Sequence, residues 1–477
     1  MALLVSHTWG TTSSFIKDRK VNKQHLSKNE IVNQIKNSRH TKIKVAVSDI
    51  DGIMRGKLMH QEKFFKVLDS EFGFCNVVFG WDMNDKSYDN VEVSGWHTGY
   101  PDQSCYLDSS TYRTIPWEDD LPFVLGEFCI ENDSKFPVCP RSLLKRIEKS
   151  AHDAGYLPLF SQEFEWFNYQ ENAEDLYTKD FNHLHHLTSG MFGYSILKAS
   201  EKSDFFHHLW EDLEKFGIPL EGLHTETGPG VYEAAIQYSA ISEAADRAFL
   251  FKTACKEIGF KHDIIASFMA KPFQDLPGCS GHIHQSLWNS SGSENQFYDS
   301  NDVHHMSEVF KSYLAGQIHC LPHILPMYAP TINSFKRLVE GAWAPTTITW
   351  GVDNRTTAFR VIPGSQNSTR LESRVVGSDV NPYLAMAASL ASGLYGIKNN
   401  LSLELTATAG NGYEDKGAGL LSKTLIEASD RMKESVIAAE LFGEEFVNHF
   451  TKTREWEWRE YCKYVTDWEK KRYFEII

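Results

Sequence analysis

The chain has 477 residues, 42% of them hydrophobic and 23% charged, which is typical of globular proteins and long enough for two or more domains. Its net charge of −15 argues against a broad nucleic-acid-binding surface. The sequence has no run of about 18 apolar residues, so we expect no transmembrane helix, and the first six residues are too short an apolar stretch for a signal peptide.

The eight cysteines follow one another without a CxxC pair or a regular spacing. This pattern is typical of neither a zinc site nor a disulfide framework, and it predicts free thiols in a reducing compartment. We therefore expect a cytoplasmic protein that has neither a membrane nor a nucleic acid as its partner.

The front of the chain predicts a small sheet-rich domain. Residues 1–40 are polar and predict a flexible segment, in which Ser27 and Glu30 have capping-box spacing for a helix over residues 27–36. From residue 43, apolar and polar residues alternate as in a half-buried strand, and Asp51-Gly52 marks a turn. Short aromatic-rich segments continue to about Cys129.

A polar, proline-containing stretch over residues 133–140 is the best candidate for a domain boundary. Beyond it, residues 141–154 have helical periodicity, and Gly155 stands where a C-cap belongs. Strands then alternate with long helices, which the periodicity places at residues 204–216, 240–258, 305–319, 382–398 and 422–442. The tail, residues 455–473, is rich in Glu, Lys and Trp and predicts an exposed helix.

Ionisable residues recur at every second position in several strand-like segments, and residues i and i+2 of a strand point to the same face. Glu163 and Glu165 form one such pair. His282 and His284 form another, after a loop of small residues that lets a backbone approach a ligand. Such groups on one face favour a divalent cation, because buried carboxylates repel each other. The alternatives are a solvated strand face and structural histidines.

Two further segments add carboxylates and arginines. Glu226 and Glu233 flank a tight turn that can bring both carboxylates to one ion, and two surface glutamates beside a loop are the alternative. Five arginines in fewer than 40 residues predict an anion site, with surface ion pairing as the alternative. These arginines are Arg337, Arg355, Arg360, Arg370 and Arg374.

The order and spacing of these segments, from about Val45 to the C-terminus, resemble the class I branch of the glutamine synthetase superfamily. The resemblance implies an α+β fold with a small N-terminal β-grasp domain over residues 41–136. It also implies a large catalytic α/β domain over residues 137–477, built on a curved antiparallel sheet. Active sites between the subunits of a homo-oligomer, a dodecamer of stacked rings, are implied as well.

The resemblance also implies a role for each residue of the pattern. Oxygen ligands with a single imidazole suit two Mg²⁺ or Mn²⁺ ions. The implied metal ligands are Glu165, Glu226 and Glu233 for the first ion and Glu163, His282 and Glu372 for the second. The implied contacts of the substrate L-glutamate are Arg337, Arg374 and Gly278. The implied ATP-binding residues are Glu221, Tyr238, His284, Ser286, Arg355 and Arg370, and Arg355 and Arg360 are implied to stabilise phosphoryl transfer.

The chain departs from glutamine-forming members at Trp343, which stands where those members carry an acid that binds ammonium and takes its proton. A tryptophan cannot accept a proton, and it brings a large apolar surface. The other acid of the ammonium site is retained as Asp49, implied to act from a neighbouring subunit. Residues 51–57 and 350–356 are similar to the branch that makes γ-glutamylamides from organic amines.

We therefore expect an ATP-dependent ligase that joins the γ-carboxylate of L-glutamate to an organic amine through a γ-glutamyl phosphate. Trp343 favours a neutral or apolar amine, either an arylamine such as aniline or a small alkylamine. Three alternatives remain: a γ-glutamylpolyamine synthetase, a true glutamine synthetase that uses ammonia, and a non-catalytic structural relative.

Overall fold

The computed structural model describes residues 26–130, 134–415 and 419–477. Its strands are β1 (Lys42–Ser48), β2 (Met54–His60), β3 (Glu71–Cys75), β4 (Asp102–Ile115), β5 (Leu121–Ile130), β6 (Ser134–Lys135), β7 (Tyr156–Tyr169), β8 (Leu220–Thr225), β9 (Val231–Ile236), β10 (Ser239–Ala240), β11 (Ile265–Ser267), β12 (Ile283–Asn289), β13 (Trp350–Val352), β14 (Phe359–Ile362) and β15 (Arg370–Ser373). Its helices are α1 (Lys28–Asn37), α2 (Gln61–Val67), α3 (Pro140–Asp153), α4 (Ala173–Thr178), α5 (Ile196–Glu201), α6 (Ser203–Lys215), α7 (Ile241–Phe260), α8 (Glu308–Ile324), α9 (Ser334–Arg337), α10 (Pro382–Lys398), α11 (Leu425–Lys433), α12 (Val436–Phe442), α13 (Glu444–Tyr461) and α14 (Asp467–Tyr473).

Two expectations from the sequence fall partly on residues outside these ranges. Most of the segment predicted as flexible, residues 1–25, is not described, and neither are residues 131–133, the last of which begins the proposed boundary. In the part of the chain that the structure describes, no helix has the length and apolar character needed to cross a bilayer.

The first six strands form one sheet in the order β2-β1-β5-β4-β3, with β6 beside β5. β1 runs parallel to β5, and the other neighbouring strands are antiparallel. Ile43, Val45 and Val47 of β1 belong to a small core with α1 and α2, whereas Ala46 belongs to the main core. The strand predicted as half-buried is therefore covered on both faces, because it lies between two cores.

Most of the predicted helices are confirmed to within a few residues, and α10 covers the predicted range 382–398. α1 begins with the predicted capping box between Ser27 and Glu30. The single helix predicted over residues 422–442 is wrong. α11 ends at Lys433, and the Ser435 hydroxyl accepts a hydrogen bond from the backbone N–H of Ala438, which starts α12 anew.

The C-terminal segment also differs from the prediction of one exposed helix. It forms two helices, α13 and α14, with a break between Tyr461 and Asp467. Arg454 and Trp456 of α13 are buried, because this helix packs against the rest of the chain rather than lying free on its surface.

The remaining strands form a nine-stranded sheet in the order β13-β14-β15-β12-β7-β9-β8, and β10 and β11 also pair with β7. The sheet curls into half of a barrel. The implied antiparallel sheet is confirmed except for β13 and β14, which run parallel. Phe164 and Trp166 of β7 point into the main core, where both rings contact Phe251 of α7. The opposite face of β7 is thereby left for polar residues.

Helix α13 is joined to loops of the first sheet by buried polar contacts. Arg454 pairs with Asp51, and both side chains are almost fully buried. The indole N–H of Trp456 donates to Oδ2 of Asp82 over 3.0 Å, and its ring packs edge-on against Tyr88. Residues from near both ends of the described chain therefore share one contact region.

Candidate active site

The polar face of the nine-stranded sheet gathers carboxylates from neighbouring strands. The backbone N–H of Glu163 donates to the carbonyl of His282, and that of Glu165 donates to the carbonyl of Ser280, each over 2.9 Å. On the other side of β7, Glu165 lies directly opposite Glu233 of β9. Segments that are far apart in the sequence therefore meet on one face of the sheet.

The first group of possible metal ligands consists of Glu163, His284 and Glu372, whose ligand atoms lie within 4.8 Å of one another. Nε2 of His284 lies 3.0 Å from Oε2 of Glu163, and His284 pairs with Glu372 across β12 and β15. His282 joins them, since its Nδ1 lies 3.3 Å from Oε1 of Glu372 and 3.9 Å from Oε2 of Glu163. The structure thus brings both histidines to these carboxylates.

The charges around this group keep its carboxylates ionised. Burial alone would raise the pKa of Glu372, but Arg374 and the two neighbouring histidines hold that pKa at about 2. Nη1 of Arg374 lies 2.5 Å and Nη1 of Arg360 lies 2.9 Å from the Glu372 carboxylate. Burial and the charge of Arg374 lower the pKa of His282 to about 4, which leaves the neutral ring that binds metal ions. Its Nε2 is buried and has no hydrogen-bond partner within the described residues.

A second group lies on the hairpin of β8 and β9 and consists of His224, Glu226 and Glu233. Nδ1 of His224 is 3.9 Å from Oε2 of Glu226, and Nε2 is 3.9 Å from Oε2 of Glu233. The backbone N–H of Glu226 donates to the carbonyl of Val231 over 2.9 Å, which closes the turn between the strands. The turn therefore brings both glutamates to one place.

Glu165 stands beside this second group and is held by the loop before β12. The backbone N–H of Ser280 donates to Oε2 of Glu165 over 2.7 Å, and its hydroxyl donates to Oε1 over 3.1 Å. Burial raises the pKa of Glu165; the charge of Glu226 adds to this rise, whereas Ser280 and Arg337 oppose it. Glu165 is thus oriented by hydrogen bonds while its charge remains unfavourable.

The surroundings of Glu233 disfavour the ionised form of its carboxylate. Burial raises the pKa of Glu233 to about 10, and the carboxylates of Glu165 and Glu163 add to the effect. A divalent cation among these carboxylates would remove the repulsion that keeps a proton on Glu233. Carboxylate oxygens with few imidazoles fit Mg²⁺ or Mn²⁺, so these residues match the metals that the resemblance implied.

A cavity of about 270 Å³ opens beside Glu163. Apolar side chains such as Phe160 and Trp288 form part of its lining. Five of the residues implied for nucleotide binding line it together: Glu221, Tyr238, His284, Ser286 and Arg370. An apolar cleft that also carries polar groups and an arginine, next to carboxylates, has the chemistry to hold a nucleoside phosphate.

The residues implied for the amino-acid substrate also pack together. The guanidinium of Arg337 is buried and donates to the carbonyls of Val375 and Arg374 over 2.9 and 3.0 Å. A Cβ added to Gly278 would lie 2.8 Å from Cγ of Arg337 and 2.6 Å from the carbonyl oxygen of Ala270. Only a glycine therefore lets this loop lie so close to Arg337.

The two arginines implied for phosphoryl transfer differ in the contacts of their side chains. Arg360 is fixed between two carboxylates, because Nε donates to Asp353 over 3.0 Å and Nη1 donates to Glu372 over 2.9 Å. Arg355 is exposed, and its positive charge opposes the rise in the pKa of Tyr194, whose ring stacks on His224 with 4.5 Å between ring centroids. Arg355 is therefore an exposed cation near the second metal-ligand group.

Trp343 lies at the tip of a loop, with 63% of its surface exposed and a left-handed backbone (φ 57°). Tyr413 connects this loop to the arginines. Burial raises the pKa of Tyr413, while Arg374, the backbone of Trp343 and Arg337 oppose that rise. The Trp343 loop is therefore close to the arginines implied for glutamate.

Asp49 is enclosed by its own loop and does not meet these groups. Its carboxylate accepts hydrogen bonds from Nε of Arg55 (2.9 Å) and from the backbone N–H groups of Asp51 and Ile53. Burial, with the charge of Asp51, raises the pKa of Asp49 to about 7. None of the implied metal ligands is among the contacts described for Asp49 within this subunit.

Three residues of the site were missed by the sequence analysis. His224 precedes Glu226 by two positions, the same alternation that identified the other ligands, and this signal was available in the sequence. Ser280 gave no signal beyond its place in a loop of small residues. Asp353 reaches Arg360 because β13 lies beside β14, a pairing that no local pattern encodes.

Comparison with known proteins identifies relatives over nearly the whole chain. The family model described as the glutamine synthetase catalytic domain matches residues 137–473. Type-1 glutamine synthetase 2 of Dictyostelium discoideum is 53% identical over 94% of this chain and 86% of that protein. A glutamate–isopropylamine ligase of a Pseudomonas species is 36% identical over 91% of this chain and 95% of that protein.

Two further relatives extend the comparison. A γ-glutamylethanolamide synthetase of Streptomyces coelicolor is 32% identical over 90% of this chain and 92% of that protein. The solved structure of a complex of GmaS with ADP superposes with a TM-score of 0.81 over 93% of this chain and 99% of that chain, at 24% identity. This structural similarity shows a shared fold.

Proposed function

Because the chain belongs to the glutamine synthetase family and is an ATP-dependent ligase that forms C–N bonds, we propose that it joins the γ-carboxylate of L-glutamate to an organic amine. The second substrate is an arylamine or a small alkylamine. Trp343 carries this proposal, since its indole is exposed and stands where the family resemblance places the acid of glutamine-forming members.

The amine must present a lone pair, and Trp343 cannot remove a proton from an ammonium ion. An arylamine is largely uncharged at neutral pH and needs no strong base before it attacks. The exposed ring of Trp343 offers an apolar face for such a molecule or for a short alkyl chain. A polyamine would need several carboxylates, and Glu340 is the one acid in the loop over residues 339–344.

The names of two relatives support an organic amine as the second substrate. One is named for isopropylamine and one for ethanolamine, at 36% and 32% identity. A relative at 53% identity is named a glutamine synthetase, and this observation favours ammonia as the second candidate. The two candidates share one reaction and differ only in the nucleophile.

We assign one divalent cation to Glu163, His282 and Glu372, with His284 beside them, and a second to Glu165, Glu226 and Glu233, with His224 beside them. The ionised state of Glu163 and Glu372 and the protonation of Glu233 both support these assignments. When bound, the cations neutralise phosphate charge and polarise the transferred phosphoryl group.

Arg337 and Arg374 hold glutamate so that its γ-carboxylate faces ATP in the cavity beside Glu163. An oxygen of the γ-carboxylate attacks the γ-phosphorus, the bond to the β-phosphate oxygen breaks, and ADP leaves. Arg360 is preorganised by its two carboxylate partners, and Arg355 is free to approach the charge on the transferring group.

The second step uses the acyl phosphate, because an ionised carboxylate has no adequate leaving group. The amine nitrogen attacks the γ-carbonyl carbon, the C–O bond to the phosphate breaks as the C–N bond forms, and the departing inorganic phosphate carries away the proton that the nitrogen loses. Binding both substrates in one site supplies proximity. The loop that carries Trp343 orients the amine.

We further propose the family arrangement for the whole molecule. A β-grasp domain over residues 41–136 precedes a catalytic domain over residues 137–477, and the subunits form a dodecamer. The Asp49 loop of one subunit then completes the amine site of its neighbour. Analytical ultracentrifugation tests this arrangement, since a monomer with full activity would contradict a shared site.

The proposed function is tested by phosphate release that depends on both ATP and glutamate. The panel of amines is ammonia, methylamine, isopropylamine, ethanolamine, putrescine, spermidine and aniline, each measured with Mg²⁺ and with Mn²⁺. We expect the highest kcat/KM with aniline or a small alkylamine. A preference for putrescine or spermidine would contradict the selection of a neutral or apolar amine by Trp343. A preference for ammonia would establish the second candidate, a glutamine synthetase.

A further inference from the structure

A larger cavity, of about 860 Å³, lies apart from the candidate active site. Its walls come from α7, from α13 and from loops around Gly52 and Asp82 of the first sheet. None of the residues assigned above to metal, nucleotide, glutamate or amine lines it. The loop that carries Asp49 borders the cavity at residues 51–54, but none of the metal, nucleotide or glutamate residues assigned within this subunit opens into it.

One wall carries two lysines without an anionic partner. Lys252 and Lys256 lie one turn apart on α7, and neither ammonium pairs with a carboxylate in the part of the chain that the structure describes. Nζ of Lys252 donates to the carbonyl of Val380 over 2.9 Å and lies 5.8 Å from the ring centre of Phe268. Desolvation lowers the pKa of Lys252 to about 7; the charge of Lys256 adds to this effect, whereas Asp379, which also lines the cavity but forms no ion pair with either lysine, opposes it. An anion between the two ammoniums would stabilise both.

Another wall carries a carboxylate without a cationic partner. Glu457 of α13 is half-buried and lines the cavity, and no hydrogen bond or ion pair joins it to the other described residues. Burial raises the pKa of Glu457; Asp51 adds to the rise and Arg454 opposes it. Arg454 is already paired with Asp51. Glu457 is therefore available to a cation inside the cavity.

Aromatic rings line the same cavity. Tyr169, Phe181, Phe268 and Phe273 all line the cavity. They provide apolar surface in a space that is large enough for an amino acid or a dipeptide. The cavity thus has unpaired positive charge on one wall, unpaired negative charge on another, and an apolar lining.

We propose that this cavity binds a zwitterionic small molecule of amino-acid or dipeptide size. The carboxylate of the ligand lies at Lys252 and Lys256, its ammonium lies at Glu457, and its apolar side chain packs against the aromatic rings. A molecule with only one of the two charges leaves one wall unpaired and binds more weakly, because a buried charge without a partner is costly.

Isothermal titration calorimetry of the full chain tests the proposal, with saturating L-glutamate present to keep the probes from the glutamate site. The zwitterionic probes are L-phenylalanine and glycyl-L-phenylalanine. The matched half-probes are 3-phenylpropionate, which lacks the ammonium, and phenethylamine, which lacks the carboxylate. We expect at least one zwitterion to bind at least about 10-fold more tightly than either half-probe.

Variants locate the binding. Lys256→Gln and Glu457→Gln should each weaken zwitterion binding about 10-fold, and Lys261→Gln, at the end of the same helix but outside the cavity, should leave it unchanged. Circular dichroism melting shows whether each variant is folded. The comparison uses only the binding that is lost in Lys256→Gln, since phenethylamine can also enter the amine site. The proposal is overturned if neither zwitterion binds the wild-type protein, if a half-probe shows as much of this cavity binding as the zwitterion, or if the folded cavity variants bind like the wild type.

Discussion

Glu165 and Glu233 lie directly opposite each other on the antiparallel strands β7 and β9. Like charges at opposed positions destabilise a sheet, and here burial together with Glu165 raises the pKa of Glu233 to about 10. The strands are held in this register by the aromatic core behind them, so the repulsion persists at the polar face. Such a local conflict in an otherwise consistent fold is typical of a functional site.

Replacing Glu163 by Gln tests the first metal-ligand group. The change keeps the shape of the side chain but removes its charge beside His284, so turnover should fall at least about 100-fold while the melting temperature changes little. Phosphate release and thermal denaturation measure the two effects. Glu308→Gln, on the exposed side of α8, is the matched control. Full turnover by Glu163→Gln would contradict the metal assignment.

Replacing His224 by Ala tests a residue that the structure adds to the second group. Its two ring nitrogens each lie 3.9 Å from a glutamate of that group, so its loss should raise the half-saturating Mg²⁺ concentration about 10-fold. High Mg²⁺ should restore much of the turnover. The exposed His152→Ala is the control, and an unchanged Mg²⁺ requirement in His224→Ala would exclude this role.

Replacing Trp343 by Glu tests the selection of the amine. A carboxylate at this position can bind ammonium and accept its proton, so kcat/KM for ammonia should rise about 10-fold and that for an apolar amine should fall. Trp343→Phe keeps an apolar ring and should keep the preference of the wild type. If neither variant alters the ratio of the two amines, Trp343 is not the selector.

Replacing Gly278 by Ala tests the glutamate site. The added Cβ would lie 2.8 Å from Cγ of Arg337, so the guanidinium must shift and KM for glutamate should rise about 10-fold. KM for ATP should stay within about twofold, because the atoms nearest the added Cβ belong to Ala270 and Arg337, neither of which lines the nucleotide cavity. Equal changes in both KM values would indicate a general loss of structure instead.

Replacing His449 by Leu tests a pH dependence that is remote from the candidate active site. Burial, with the charges of Arg454 and Lys452, lowers the pKa of His449 from 6.5 to about 3. As the pH falls, His449 is therefore protonated in the unfolded chain at a higher pH than in the folded chain. The free energy of unfolding of the wild type decreases by about 1.4 kcal/mol per pH unit between pH 6.5 and about 3. In His449→Leu this contribution is absent.

Urea denaturation at pH 7.5, 6 and 5 measures the effect of His449. The free energy of unfolding of His449→Leu, relative to the wild type, should improve steadily below pH 6.5 and stay constant above it. His152→Leu, at an exposed histidine, is the control. Parallel pH profiles for the wild type and His449→Leu would show that the buried ring does not titrate on unfolding.

Local patterns in the sequence predicted much of the fold. The capping box at Ser27 and the periodicity of α10 depend only on neighbouring residues, and both are confirmed. The alternation at Glu163 and Glu165 similarly reports one strand face. Such signals survive in a single sequence because secondary structure has a fixed period.

Features that depend on distant partners were not predicted. The break before Ser435 reflects a choice between one long helix and two capped ones, which tertiary packing decides. The proximity of Asp353 to Arg360 arises from strand order, and the contact of His284 rather than His282 with Oε2 of Glu163 over 3.0 Å arises from register. Neither strand order nor register is written in local periodicity.

The buried pair of Asp51 and Arg454 joins residues that are 403 positions apart. During synthesis, Asp51 leaves the ribosome long before Arg454 is translated. Burying the Asp51 carboxylate before its partner is present would be unfavourable. The first sheet can pair its strands early in synthesis, but the Asp51 loop can close only when α13 emerges. A protein truncated before Glu444 would therefore lack α13 and keep the Asp51 loop open. We expect cellular proteases to degrade such a truncated chain.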